Sequence, residues 1–218
     1  KNCIFNNPTS SKGKEAMLIM DGYENITFDN NTVNNYIWGI TGRTNVNNLT
    51  VTNSTFHITH IRNNSVGTLP ANIVGAAIQL WSGNGTLIKN NEFYGPKDEI
   101  ADFTEVAEDE DSLFNCYAFT DFSNHFELTA YQTVENNYVE GFYRGLSCFS
   151  SGTYNNNTIN DSYIGICMGQ QSAIYATGAG TADIVDNTIT NCEIGIMLQD
   201  GSVSYINRNT FSGNTYDL

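Results

Sequence analysis

The sequence predicts an all-β fold, a parallel solenoid of about eight coils, and three observations carry that prediction. The stretch Asn157-Thr-Ile-Asn-Asp-Ser-Tyr-Ile-Gly165-Ile recurs as Asn187-Thr-Ile-Thr-Asn-Cys-Glu-Ile-Gly195-Ile, and the same eight-residue step separates Asn31 from Gly39 and Asn137 from Gly145. The second residue after each repeat Asn is apolar throughout. No 3.6-residue periodicity runs through these segments, whose polar positions sit at the bends between short apolar strands. Self-similarity at a fixed period identifies a repeat architecture before local propensity is weighed.

The coils begin near Asn2, Asn31, Ser54, Asn91, Asn137, Asn157, Asn187 and Asn209. Two residues on, Ile4, Val33, Phe56, Phe93, Val139, Ile159, Ile189 and Phe211 form one inward column. Three residues before each Asn, Phe28, Val51, Ile88, Val134, Tyr154, Ile184 and Ile206 form another. The residues after Gly, namely Ile40, Ile78, Leu146, Ile166 and Ile196, begin a further inward strand. Leu80, Cys148, Met168 and Leu198 continue it two residues later, as a strand's period of two requires. The repeat Asn is expected at a bend in the left-handed backbone region, with its amide bonding from coil to coil as stacked amides do in cross-β structures. Gly39, Gly145, Gly165 and Gly195, with Ala77, are expected to face outward as a flat strip.

The pattern Asn-x-Ile-x-x-x-x-x-Gly-Ile resembles the repeats of the right-handed parallel β-helix, pectate-lyase-like superfamily, as found in adhesin-like surface proteins. The resemblance covers almost the whole chain and implies the fold. It does not imply one activity, because a scaffold of this kind hosts many.

A chain of 218 residues, 40% of them hydrophobic, buries one continuous core, and residues 1–218 read as a single β-helix domain. Neither end carries a recognisable polar cap, so the chain reads as a segment of a longer protein with flanking domains. With 23 acidic against 9 basic residues, nucleic acid is not an expected partner. No run of 18 apolar residues is present to span a membrane. The five cysteines have no Cys-x-x-Cys spacing; they read as small buried hydrophobes rather than zinc ligands or disulfides. The expected location is extracellular or at the cell surface.

Three expansions, Pro8 to Glu15, His57 to Val74 and Gly95 to about Asn115, fall at the same corner of the repeat, and function on repeat scaffolds sits on such insertions. The second contains His57, His60 and Arg62. The third gathers acidic residues between Asp98 and Asp111, with Ile100, Phe103 and Ala107 at the spacing of one helical face. Asp98, Asp102, Asp109 and Asp111 are candidate Ca2+ ligands, although the run lacks the EF-hand spacing and equally suits a solvated acidic face. Arg144 interrupts a column otherwise occupied by Trp38, Ala76, Ile164 and Ile194, so its charge needs a partner. Asp121 and His125, just before the fifth coil, and His60 are the candidates to join Arg144 in a site that grips a uronate or performs acid–base chemistry.

Two functions compete. One is a non-catalytic cell-surface module, adhesin-like, presenting its loops to carbohydrate or protein. The other is a polysaccharide lyase, epimerase or inverting hydrolase, which needs a base together with charge neutralisation, or paired carboxylates flanking a water.

Overall fold

In the computed structural model each coil lays one short strand onto each of three parallel sheets, giving a right-handed parallel β-helix. The structure describes residues 1–7, 15–58, 62–64, 72–97, 115–121, 130–148, 150–169, 181–199 and 203–218, with backbone alone for 62–64, 72–74, 115, 148, 203 and 204. The first sheet holds the eight three-residue strands that follow the repeat Asn, from Ile4–Asn6 to Thr210–Ser212. The second holds the strands around Gly, among them Trp38–Gly42, Asn72–Leu80, Asn115–Asp121, Arg144–Cys148 and Ile164–Met168. The third holds the strands that precede the next Asn, from Thr27–Asp29 to Val203–Asn207. One antiparallel strand, Arg62–Asn64, doubles back on the start of Asn72–Leu80.

The apolar columns stack in the expected register from the second coil onward. Val33 pairs with Phe56, Phe93 with Val139, and Ile159 with Ile189, all of them buried. The first coil is shifted by one place: Phe5, not Ile4, lies opposite Val33. A slip of one residue exchanges the faces of a strand. Ile4 is accordingly 69% exposed, whereas the Phe5 ring stacks on Phe28 at 5.8 Å.

The repeat asparagines form a buried ladder. Asn137 donates its main-chain N–H to Asn157 Oδ1 at 3.0 Å, Asn157 donates to Asn187 Oδ1 at 2.9 Å, and Asn187 donates to Asn209 Oδ1 at 2.9 Å. The left-handed conformation belongs to the residue before each rung, at Asn30, Asn53, Asn90, Asn136, Asn156, Asp186 and Arg208. The labour at the bend is therefore divided: one residue turns the chain and the next satisfies the buried backbone of the neighbouring coil.

The glycines also differ from expectation. A Cβ at Gly165 would lie 2.6 Å from the Gly195 carbonyl oxygen and 2.8 Å from Ile189 Cγ2, and one at Gly39 would meet the Phe56 ring at 2.8 Å. These positions face inward, where the second sheet closes on the first; they are no exposed strip.

Candidate functional site

Connectivity sets the second sheet apart. The expansions anticipated between first-sheet and second-sheet strands fall there, at 8–14, 59–61 with 65–71, and 98–114. Between second-sheet and third-sheet strands the longer connections run from Asp121 to Tyr131 and from Met168 to Thr181. These two connections escaped the repeat reading, which compared the coils only from Asn to Gly.

Position 39 and position 40 both face inward, so the strand's alternation breaks there and positions 38 and 41 both face outward. One outward column reads Trp38, Ala76, Tyr117, Arg144 and Ile164, and the other reads Thr41, Gln79, Thr120, Ser147 and Cys167. Ala76, Tyr117, Ile164 and Cys167 are buried, yet none belongs to the contiguous interior cluster. Trp38, Gln79 and Arg144 remain half-buried among these covered neighbours.

The polar atoms of this face are unusual. Trp38 Nε1, Thr41 Oγ1, Thr120 Oγ1, Arg144 Nε and Ser147 Oγ are all buried without a hydrogen-bond partner. Buried polar groups are paired in the great majority of cases, and each orphan costs about 1–3 kcal/mol. Of the nine such atoms among the described residues, five lie on two adjacent columns of this one sheet.

Arg144 sits opposite Ile164 on one side, as its column predicts, and opposite Tyr117 on the other. Its guanidinium carbon lies 5.9 Å from the Tyr143 ring centroid, and Tyr143 stacks on Tyr163 at 5.0 Å. Burial works against the guanidinium's charge, but the groups of Cys167, Tyr117 and Tyr143 outweigh it and hold the pKa above its usual value. Burial pushes the Tyr117 and Tyr143 hydroxyls up to about 12, with Arg144 opposing the shift in both.

Asp121 does not join Arg144. It lies opposite Cys148, four residues along the strand from the Tyr117–Arg144 pair, a separation of about 13 Å. It occupies the column of Leu80, is fully buried, and accepts a hydrogen bond from Gln132 Nε2 at 2.6 Å. Gln132 also donates to the Gly83 carbonyl and accepts from Thr86 N–H, so this carboxylate is bound into a coil-closing network. His60, His125, Asp98, Asp102, Asp109, Asp111 and the helical spacing at Ile100, Phe103 and Ala107 lie outside the described residues.

A second patch, on the first sheet, has different character. His57 stacks on Tyr94 at 4.8 Å and Tyr94 leans on Tyr138 at 5.8 Å. The Tyr94 hydroxyl donates to Glu92 and the Tyr138 hydroxyl to Glu140. Its rings lean on one another and its two hydroxyls are taken up by carboxylates of the same strands.

Comparison with known proteins gives one match. Residues 57–218 fit the family model described as "Periplasmic copper-binding protein (NosD)". The chain belongs to the NosD family. No curated protein and no solved structure matches it.

The family description names copper, so the donor set of this NosD chain was compared with what copper requires. Among the described residues no three His, Cys, Asp or Glu side chains converge. Of the four described cysteines, Cys3 is exposed while Cys116, Cys167 and Cys192 are buried. Burial pushes the Cys116 thiol up to about 12 and the Cys192 thiol up to about 11, away from the thiolate that binds metal. The orphaned nitrogens of Trp38 and Arg144 are donors with no lone pair to offer a cation. Among the described residues of this NosD chain, the His, Cys, Asp and Glu side chains do not form a copper site.

Proposed function

We propose that this NosD-family chain is a non-catalytic β-helix module of the cell envelope that binds carbohydrate along the outward face of its second sheet. The observation that carries the reading is the set of five buried, unpartnered polar atoms on Trp38, Thr41, Thr120, Arg144 and Ser147. An oxygen-rich ligand meets that set: its hydroxyls accept from indole and guanidinium N–H groups and exchange hydrogen bonds with the Thr and Ser hydroxyls. Half-buried Trp38 offers a ring against which the apolar face of a sugar can pack. The strands run at a repeat of about 4.8 Å, which presents these groups in line to an extended polymer.

Two competing readings are weaker on the same observations. Catalysis needs an acid or base facing the ligand, and Asp121 is taken up inside the coil by Gln132. Periplasmic copper handling, suggested by the family description, would need ligands that the described frame does not bring together. The periplasm remains a suitable compartment for the binding reading.

The test is a polysaccharide-binding screen followed by calorimetry on the folded chain, with a copper titration alongside. Wild type is expected to bind a glycan without degrading it, and Trp38→Ala to weaken binding about tenfold, equivalent to about 1.4 kcal/mol. Tight copper binding with no glycan bound, or glycan affinity untouched by Trp38→Ala and Thr120→Val, would overturn the proposal.

A further inference from the structure

We infer that Arg144 forms an oxyanion subsite within this face, so that the ligand carries a carboxylate, phosphate or sulfate group. The inference rests on the carbohydrate-binding reading and adds the charge of the ligand to it.

Counter-charge is abundant in this chain, which makes its absence at Arg144 informative. Acidic residues outnumber basic ones 23 to 9. Lys1, Lys89, Lys97 and Arg208 each pair with a carboxylate, on Asp29, Glu135, Asp161 and Asp186 respectively. Arg208 shows how fully the fold can satisfy a guanidinium when it is exposed: Nε and Nη2 grip the two oxygens of Asp186 at 2.7 and 2.6 Å. Arg144 is half-buried, its Nε is buried without an acceptor, and no carboxylate pairs with it among the described residues.

A cation withdrawn from water without a partner is destabilising, so its retention needs a compensating role. The surrounding groups are the Tyr143 ring, with its centroid 5.9 Å from the guanidinium carbon, the Tyr117 phenol and the Cys167 thiol. Nε is the edge that an oxyanion uses in a two-point, side-on contact with arginine. At this edge the fold leaves the donor free, whereas at Arg208 the fold itself supplies the acceptor.

The chain's net charge of −14 opposes the approach of any polyanion, so the preference must come from this local contact. Salt should therefore have two opposing effects, screening the general repulsion while weakening the Arg144 contact.

Binding is measured on the full chain with dextran as the neutral probe, polygalacturonate as the carboxylate probe, its methyl ester as the uncharged match, and dextran sulfate as the sulfate probe. Wild type is expected to favour at least one anionic polymer over its uncharged match by tenfold or more. Which anion it favours separates a carboxylate ligand from a sulfate-like one. Arg144→Gln should erase the preference, and Arg144→Lys should keep part of it. Arg144→Met serves as the control for a structural role: its melting temperature should be unchanged or raised by about 2–4 °C while the preference is lost. A preference that survives Arg144→Gln, or a melting temperature lowered by Arg144→Met, overturns the inference. Equal binding of neutral and anionic polymers by wild type also overturns it and leaves the carbohydrate reading intact. Binding of none of the four sinks both.

Discussion

The side-chain carbonyl of Asn157 accepts from both nitrogens of Asn137, the main-chain N–H and Nδ2, each at 3.0 Å. Its own Nδ2 donates to the Val134 carbonyl at 3.0 Å and to Asn187 Oδ1 at 3.0 Å. One buried amide thus joins three coils. Asn157→Ala strands donors on Asn137 and the Val134 carbonyl in the interior, and the expected loss is about 2–4 kcal/mol in chemical denaturation. A loss below about 1 kcal/mol would mean that the ladder fills space rather than bonding coils.

The third rung supplies the converse. Ser54 replaces Asn there; its hydroxyl accepts from Asn31 N–H at 3.1 Å and donates back to the Thr52 carbonyl at 2.8 Å. It lacks the second nitrogen that elsewhere reaches the preceding coil. Ser54→Asn is expected to raise stability by about 1 kcal/mol, read as an increase in denaturation midpoint at constant slope. A fall would show that the second and third coils are too close for the larger side chain.

Much of this frame is legible in the sequence because one periodicity governs it. Inward columns such as Val33–Phe56 and Ile40–Ile78 follow from the repeat Asn and Gly positions, which stand eight residues apart in the coils that carry no insertion between them. The outward column containing Arg144 follows from the same count, and only Tyr117 and Glu15 had to be added to it. The orphaned donors were not legible: Thr41, Thr120 and Ser147 are ordinary strand residues until burial and pairing are known. Asp121 misleads for the opposite reason. A carboxylate near a candidate cation in sequence invites a pairing, but four residues of strand and a turn of side-chain direction separate it from Arg144.

The glycine column gives a steric test. At Gly165 an added Cβ meets a backbone carbonyl oxygen at 2.6 Å, a partner that cannot swing aside. Gly165→Ala is expected to cost about 2–3 kcal/mol, comparable to overpacking elsewhere in a core. Ala77 and Ala118, which occupy the same column in the expanded third and fourth coils, show that the wall opens there, so Ala77→Gly should lower stability by only about 1 kcal/mol. Equal, small effects at both positions would argue that the column is free to shift.

The slipped first coil separates two adjacent residues. Phe5 packs on Phe28 with rings 5.8 Å apart, while Ile4 is 69% exposed. Phe5→Ala should destabilise the chain by about 1–3 kcal/mol and Ile4→Asn by less than about 0.5 kcal/mol. The reverse order would restore the register in which the repeat Asn2 heads the strand.

Alkaline pH probes the wall beneath the proposed site. Burial holds Cys116 at about 12 against an ordinary 9.0, offset in part by a hydrogen bond from the Tyr143 backbone, and holds Tyr117 at about 12 against 10.0, offset in part by Arg144. In each case the folded state keeps a proton that the unfolded chain releases earlier. Their contribution to stability is therefore whole below about pH 9 and is lost as pH rises through the window from 9 to 12. Native protein treated with iodoacetamide at pH 8.5 should be alkylated at exposed Cys3 and spared at Cys116. Unfolding monitored across the same window should begin only after pH 9, and Cys116→Ala should flatten its early part. Alkylation of Cys116 at the rate of Cys3 in native protein would mean that the interior cluster to which Cys116 belongs opens far enough to admit reagent, and the burial that raises its thiol would fall with it.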